Sequence, residues 1–511
     1  MKLTPDHARL SERTEKRNMI AMLMFGLLFI GWVGEPPLEF DSAMYNGLWR
    51  SVFVVFGPLI SPLPGISMYP WQLLLIALAP FCFGTSGTTR QHARELDRAI
   101  FVSIACIAAT FLWGWVRGGS PYFAYYQLWR FLAALLIAYM LMSAVRTERD
   151  LISLGKLVIL AALIRATLCI YYYWTHIYGT NYPFHEYVTD HDDSMLFAVA
   201  TLIVSIWTFL KGGRATWTIA ALIVPYLFYA MVLNNRRLAW VELGLAMPLI
   251  YFLIGAGPLR SRINRWLVVL VPVVLLYIVA GSKIDSPLFA PARAFATTGS
   301  NYDPSSLARL EEERNLLHTL VDFGNPIVGT GWGRPYYQET NFYAQYPASW
   351  ILAPYTPHNS LLGLVAYSGL LGLIGIWGVV PMGAYLAARG YRGSTELVPR
   401  AGGMIALCAL EVYSAHCFGD IGLESLPGAL MFGAALATAG KVAAWSEALP
   451  SARTATTRAG SERPAPEARP RDRKAGAPWR RYDPSSQRPG SSEGNDLPAK
   501  PNRAPTRRLS R

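Results

Sequence analysis

The chain has 511 residues, 52% of them hydrophobic and only 15% charged, a balance that sets it apart from soluble globular domains. Its net charge of +13 would suit a nucleic-acid binder, but residues 449–511 alone hold fifteen basic against six acidic side chains, which accounts for nine of the thirteen charges. The five cysteines, Cys82, Cys106, Cys169, Cys408 and Cys417, are scattered through mostly apolar runs without CxxC spacing, which indicates neither a zinc site nor a disulfide framework.

A charged leader, residues 1–18, precedes the apolar run Met19 to Val33, which lacks a small-residue cleavage site and reads as an uncleaved first span. Further runs long enough to cross a bilayer follow, and together they predict spans near 19–34, 68–83, 99–116, 128–145, 157–176, 194–210, 216–233, 238–256, 266–281, 359–387, 402–418 and 421–440. The fold class is therefore an all-α, polytopic membrane protein of about 12 transmembrane helices. Gly47 to Pro64 is apolar but broken by Pro58, Pro62 and Pro64, so it reads as a re-entrant or surface-lying piece. Residues 441–511 form a basic tail, with almost no aliphatic residue beyond Leu449 and too little apolar surface to offset the entropy of ordering; it is predicted to be disordered, with no role in nucleic-acid binding.

Basic residues orient the 19–440 unit. Lys16 and Arg17 place the N-terminus inside, and the inner loops then carry Arg90, Arg94 and Arg98; Arg146, Arg149 and Lys156; Lys211 and Arg214; Arg260, Arg262 and Arg265; and Arg389, Arg392 and Arg400. Both termini are thus cytoplasmic, and the longest loop, 282–357, lies outside. The turn "NNRRLAW" (Asn234 to Trp240) falls on that outer side, as do Arg309 and Arg314 in "SSLARLEEERNLLHTLVDFGNPIVGTGWG" (Ser305 to Gly333) and His358 at the mouth of an apolar run. The first half of the longer stretch predicts a helix, with Ser305 or Ser306 as N-cap and Leu307, Leu310, Leu317 and Leu320 at helical spacing; the second half predicts a glycine-rich turn. Each feature has a plain reading: Arg236 and Arg237 as interfacial anchors, Arg309 as an ordinary helix-face charge, His358 as a satisfied interfacial histidine. Two arginines in a tight turn on the outer side nonetheless oppose the usual charge bias and repel each other unless an anion lies between them.

In this order the segments resemble the O-antigen ligase and O-antigen polymerase superfamily of bacterial envelope glycosyltransferases. Its members carry an "SRGAW"-like turn opening a span, here "RRLAW" with Arg237 at the matching position and Arg236 where serine is usual. An arginine then precedes a "P-x-x-G-x-G" turn, here Arg309 and Pro326 to Gly331, and "HN" leads into "G-x-x-G", here His358, Asn359, Gly369 and Gly372. The architecture matches over roughly residues 20–440, the motifs over 235–375 only.

The resemblance implies transfer of a glycan from undecaprenyl diphosphate to an acceptor hydroxyl at the periplasmic face of the bacterial inner membrane. The acceptor is a lipid A core in a ligase or a growing glycan in a polymerase, and no cofactor is implied. The arginines, Arg237 and Arg309 with Arg236 in reserve, would offset the charge growing on the leaving diphosphate. His358 would be the general base, and Asn359 would orient its ring or a sugar hydroxyl. Backbone amides at Gly329 and Gly331 would bind phosphate oxygens. "HEYVTDHDDS" (His185 to Ser194) contains the D-x-D spacing of metal-using glycosyltransferases in Asp190 and Asp192, but arginines already supply the positive charge; it reads as a hydrated loop, and no metal is expected. The alternative is a transporter or flippase of lipid-linked sugars. It would show mid-span charges, of which Arg165 is the clearest, and interrupted helices in repeated halves, of which the sequence shows no repeat.

Overall fold

The computed structural model describes residues 5–34, 60–63, 66–68, 70–83, 93–179, 188–255, 257–284, 286, 289–297, 304–339 and 353–446. The basic tail beyond Ser446, most of the proline-broken 47–64 segment, and residues 298–303 and 340–352 of the large loop lie outside the described residues, whereas 441–445, expected as the start of the disordered tail, are largely buried helix ending at Trp445.

In chain order the helices are α1 (Pro5–Gly34), α2 (Pro70–Phe83), α3 (Arg94–Val116), α4 (Pro121–Ala144), α5 (Glu148–Tyr172), α6 (His191–Lys211), α7 (Arg214–Asn234) and α8 (Arg237–Leu253). They continue as α9 (Pro258–Gly281), α10 (Ala290–Thr297), α11 (Pro304–His318), α12 (Ser360–Leu370), α13 (Val379–Gly393), α14 (Leu397–Gly419) and α15 (Leu426–Trp445). Each predicted span falls on a helix. Among the described residues, nine helical stretches are long and apolar enough to cross a membrane. The apolar part of α1 (Met19–Gly34), α2 with 14 residues and α8 with 17 fall short of that length. A short antiparallel pair, β1 (Ile60–Leu63) and β2 (Ile66–Met68), departs from the all-α expectation where prolines break the helix.

Local chemistry fixes where the helices begin. Thr147 and Asp150 form a reciprocal capping box at the start of α5, and Ser425 accepts from the Gly428 amide at the start of α15. That last helix, rich in alanine and glycine, is the axis of the bundle: 94% of its apolar window is buried, chiefly against α4, α13 and α14. Small side chains let neighbouring backbones close on it, which supplies contact in a lipid solvent that gives no hydrophobic drive.

The predicted span at 359–387 is broken. Gly369 adopts φ +54°, a π-helical turn follows at Leu371–Ile376, and α13 resumes the path. The freed amides find partners in the glycine turn: Leu370 N donates to Pro326 O (2.8 Å) and Leu371 N to Ile327 O (2.9 Å). Interruption of a helix, assigned above to a transporter, thus occurs here, and the turn of the large loop is what compensates it.

The loop helix α11 is turned the other way from its leucine spacing. Glu312, Asn315, Leu316 and Thr319 are buried, whereas Leu307, Leu310 and Leu317 are about half exposed. The inward face is polar because it lines a charged cluster.

Candidate active site

The cluster lies where the ends of α6, α7, α8, α12 and α14 meet. The "NNRR" turn builds one wall. Asn235 takes the left-handed conformation (φ 51°) that asparagine tolerates, closing α7. Asn234 is fully buried; its Oδ1 accepts from the amides of Val188 (3.2 Å) and Thr189 (2.6 Å), and its Nδ2 donates to Ser194 Oγ (2.8 Å). Arg236 is buried, donating from Nε and Nη2 to the Thr189 carbonyl (3.3 and 3.0 Å) and from Nη1 to His191 Nε2 (2.7 Å). Arginine can only donate, so His191 carries its proton on Nδ1, which faces Asp420. Arg237 is the first residue of α8 and half-buried.

The second wall comes from α11 and the start of α12. Buried Glu312 accepts from the His358 amide (2.9 Å) and, through Oε2, faces His358 Nδ1 at 3.0 Å; Tyr336 Oη donates to the same carboxylate at 3.3 Å. A carboxylate accepts, so Nδ1 bears the proton and Nε2 is the basic nitrogen. Burial alone would lower the His358 pKa, but the hydrogen bond and charge of Glu312, with the charge of Asp420, raise it above the usual histidine value; Arg309 pulls against them. Asn359 caps α12 by accepting from Leu362 N (3.0 Å) and donates to Glu313 Oε1 (3.0 Å). Its role is therefore to fix the backbone under His358, and the expectation that it orients the ring directly is not supported by these bonds.

Asp420 joins the two walls. Burial favours its neutral form, yet the pairing with His191 and the charges of His416 and His358 hold its carboxyl well below the usual range. Its carbonyl accepts from Ser360 Oγ (3.0 Å), tying the end of α14 to the start of α12. Behind this, His416 spans two carboxylates: Nδ1 to Glu242 Oε1 and Nε2 to Asp192 Oδ1, both at 3.0 Å. Glu312, His191, His416, Glu242 and Asp420 were not singled out as site residues from sequence. Glu242 and His416 had a signal, since ionisable residues inside apolar spans are functional by default; Glu312 had none, lying in an ordinary run of acids.

Two sequence expectations change. The amides of Gly329 and Gly331 are spent within the chain, on Asn325 O (2.7 Å) and Tyr367 O (2.8 Å), so they do not serve as phosphate donors. Their glycine identity answers a packing need instead: at Gly331, with φ +88°, a Cβ would lie 2.1 Å from Gly114 Cα. The acids of "TDHDDS" are not a hydrated loop. Asp190 accepts from the His191 amide, Asp192 meets His416, and Asp193 grips Arg165 in a fork of 2.6 and 2.8 Å. Arg165 is therefore neutralised within the bundle. Asp190, desolvated and crowded by Asp192 and Asp420 despite Arg236, is pushed up to about 7.

Residues 220–377, from within α7 to the π-helical turn after α12, match the family described as O-Antigen ligase. Over this stretch the chain is similar to that family. A comparison with curated proteins returns no match. The matched stretch contains Arg236, Glu312, His358 and Asn359 of the cluster, and also Arg237 and Arg309, while His191, Asp192, His416 and Asp420 lie outside it and complete the cluster. With its many apolar helices, the chain is a multi-pass membrane protein.

Proposed function

We propose that the protein transfers a glycan from undecaprenyl diphosphate to an acceptor hydroxyl, as an O-antigen ligase or polysaccharide polymerase, at the periplasmic face of the inner membrane. The observation that carries this reading is the linked set in which Arg236 bonds His191, His191 faces Asp420, and Asp420 is tied through Ser360 to the helix start beside His358 and Glu312, within and beside the family-matched stretch.

His358 Nε2 removes the acceptor proton while Glu312 holds the ring by Nδ1 and stabilises the imidazolium that forms. The hydroxyl oxygen attacks the anomeric carbon as the bond to the diphosphate oxygen breaks, inverting that carbon. Arg309, with Arg236 and Arg237 in the turn before α8, meets the negative charge left on the diphosphate. Arg236 is pre-positioned by Thr189 and His191, so it need not reorganise as that charge develops. No metal is required by this scheme.

The test is transfer by the purified protein in nanodiscs, with undecaprenyl-diphosphate-linked glycan and a core-type or glycan acceptor. Product is expected at an undiminished rate in excess EDTA; loss restored by Mg²⁺ or Mn²⁺ would overturn the metal-free scheme. Glycan profiles of a deletion strain then separate the two acceptors. Capped single repeats mark a polymerase, and accumulated lipid-linked polymer with bare core marks a ligase.

A further inference from the structure

On α11 the exposed positions Leu307, Leu310, Arg314 and Leu317 follow one another at steps of three and four, so they form a single stripe opposite Glu312, Asn315, Leu316 and Thr319, with exposed His318, paired to Asp322 at 2.8 Å, on the same side. The stripe runs on through the π-helical turn Thr319–Phe323, where Val321 is 76% and Phe323 50% exposed, to Ile327 at 59%. At Ile327 it meets a transmembrane stretch: the bonds from Leu370 N and Leu371 N to Pro326 and Ile327 join the two backbones. Leu370, Leu373 and Ile374, all half exposed or more, continue the same apolar surface along the candidate span Ser360–Gly393.

A helix with polar residues inward and leucines outward is unfavourable in water and favourable in hydrocarbon. Arg314 in the middle of the stripe fits an interfacial position, where its apolar stem lies along the chains and its guanidinium reaches lipid phosphate. We infer that residues 307–327 of the large loop are seated in the membrane leaflet, with the Leu307–Leu317 stripe, Val321, Phe323 and Ile327 against lipid acyl chains, as a continuation of the lipid-facing flank of the 360–393 span. Seating at that depth would carry Glu312 and His358 to the level of a lipid-borne diphosphate. That consequence rests on the glycosyl-transfer reading; the seating itself does not.

The test is a genetically incorporated fluorescent amino acid at Leu317, and separately at Val321, in full-length protein reconstituted at high lipid-to-protein ratio. The same residue at Leu373 marks the lipid-facing flank, and at Glu339 the exposed far side of the loop. Emission from 317 and 321 should be blue-shifted, quenched by brominated acyl chains about as fully as 373, and shielded from aqueous iodide, with 339 showing the reverse. Iodide quenching without lipid quenching at 317 and 321 would put the stripe in water. Shielding from both quenchers would put protein, such as a second copy, on it. Either result overturns the seating.

Discussion

Two sets of charged residues in the helix bundle are used in opposite ways. In one, basic residues lie at the rim beside aromatic rings: Arg260 over Tyr251 (4.3 Å), Arg400 over Tyr391 (5.2 Å), Lys211 over Trp207 (5.6 Å) and Arg389 over Tyr385 (5.8 Å). In the other, Arg236, Glu312, Glu242, His416 and Asp420 are all buried and each faces a partner from a different element. Rim charges cost little and define orientation; buried, interlocked charges cost desolvation and persist only where opposite charge and hydrogen bonds offset it. A count of arginines therefore does not locate a site, whereas burial with partners does.

The sharpest way to break this contrast is to remove one group at the buried cluster. His358→Ala should lower turnover by roughly 10²- to 10⁴-fold while leaving binding of the lipid-linked donor intact, because a general base acts mainly on the rate. Arg309→Ala should be equally inactive, and Arg309→Lys should recover little, since an ammonium cannot span two phosphate oxygens. Single-turnover transfer and donor binding, measured on the same preparations, separate these outcomes. Wild-type turnover by either alanine variant would reduce that residue to an anchor.

Next in size is a stability effect at His416. Replacing it by alanine strands Glu242 and Asp192, two carboxylates with no counter-charge between them, at a cost of about 3–5 kcal/mol for a broken buried pair. The midpoint of thermal unfolding in detergent should fall well below the wild-type value. An unchanged midpoint would show that the two carboxylates are solvated or protonated without the imidazole.

Glu312→Gln sharpens the comparison through pH. The carboxylate is what raises the His358 pKa against burial, so the acid limb of the kcat/KM profile should lie above the ordinary histidine value in the wild type. Activity rises with pH as His358 loses its proton. With glutamine the raising influence is gone and burial remains, so the limb should move to lower pH, with a rate loss on the order of tenfold from the weakened hydrogen bond. A limb that stays in place would remove His358 or its tie to Glu312 from the mechanism.

The helical plan is legible in the sequence because apolar runs of bilayer length need no tertiary information, whereas the cap that Asn359 makes to Leu362 appears only in the structure. The kink at Gly369 is not legible, since glycine in an apolar run is common in membrane helices and only the docked Pro326–Gly331 turn shows what it accommodates. His358, Arg309 and Arg237, with Arg236 in reserve, are expectations that rest on the family resemblance, since spacing alone leaves their plain readings open. Glu312 was not legible, because within the run Glu311–Glu313 nothing marks which acid turns inward. Asp420 was hidden between two spans, and its place follows only from the meeting of α6, α12 and α14.

The smallest effect belongs to the rim, and it is the control on everything above. Arg260→Ala removes a guanidinium placed 4.3 Å from the centre of the Tyr251 ring, a contact worth about 0.5–1 kcal/mol at a partly solvated site. Both residues belong to the rim set, so no charge at the buried cluster changes partner. Unfolding should therefore shift only slightly, and turnover, donor binding and the pH profile should all match wild type. Reporter fusions after Ala290 and after Gly440 should at the same time be unaltered, because the neighbouring Arg262 and Arg265 keep that loop basic. A large loss of transfer in Arg260→Ala with topology intact would mean that the rim also serves the reaction, and the distinction between buried and rim charge would fail.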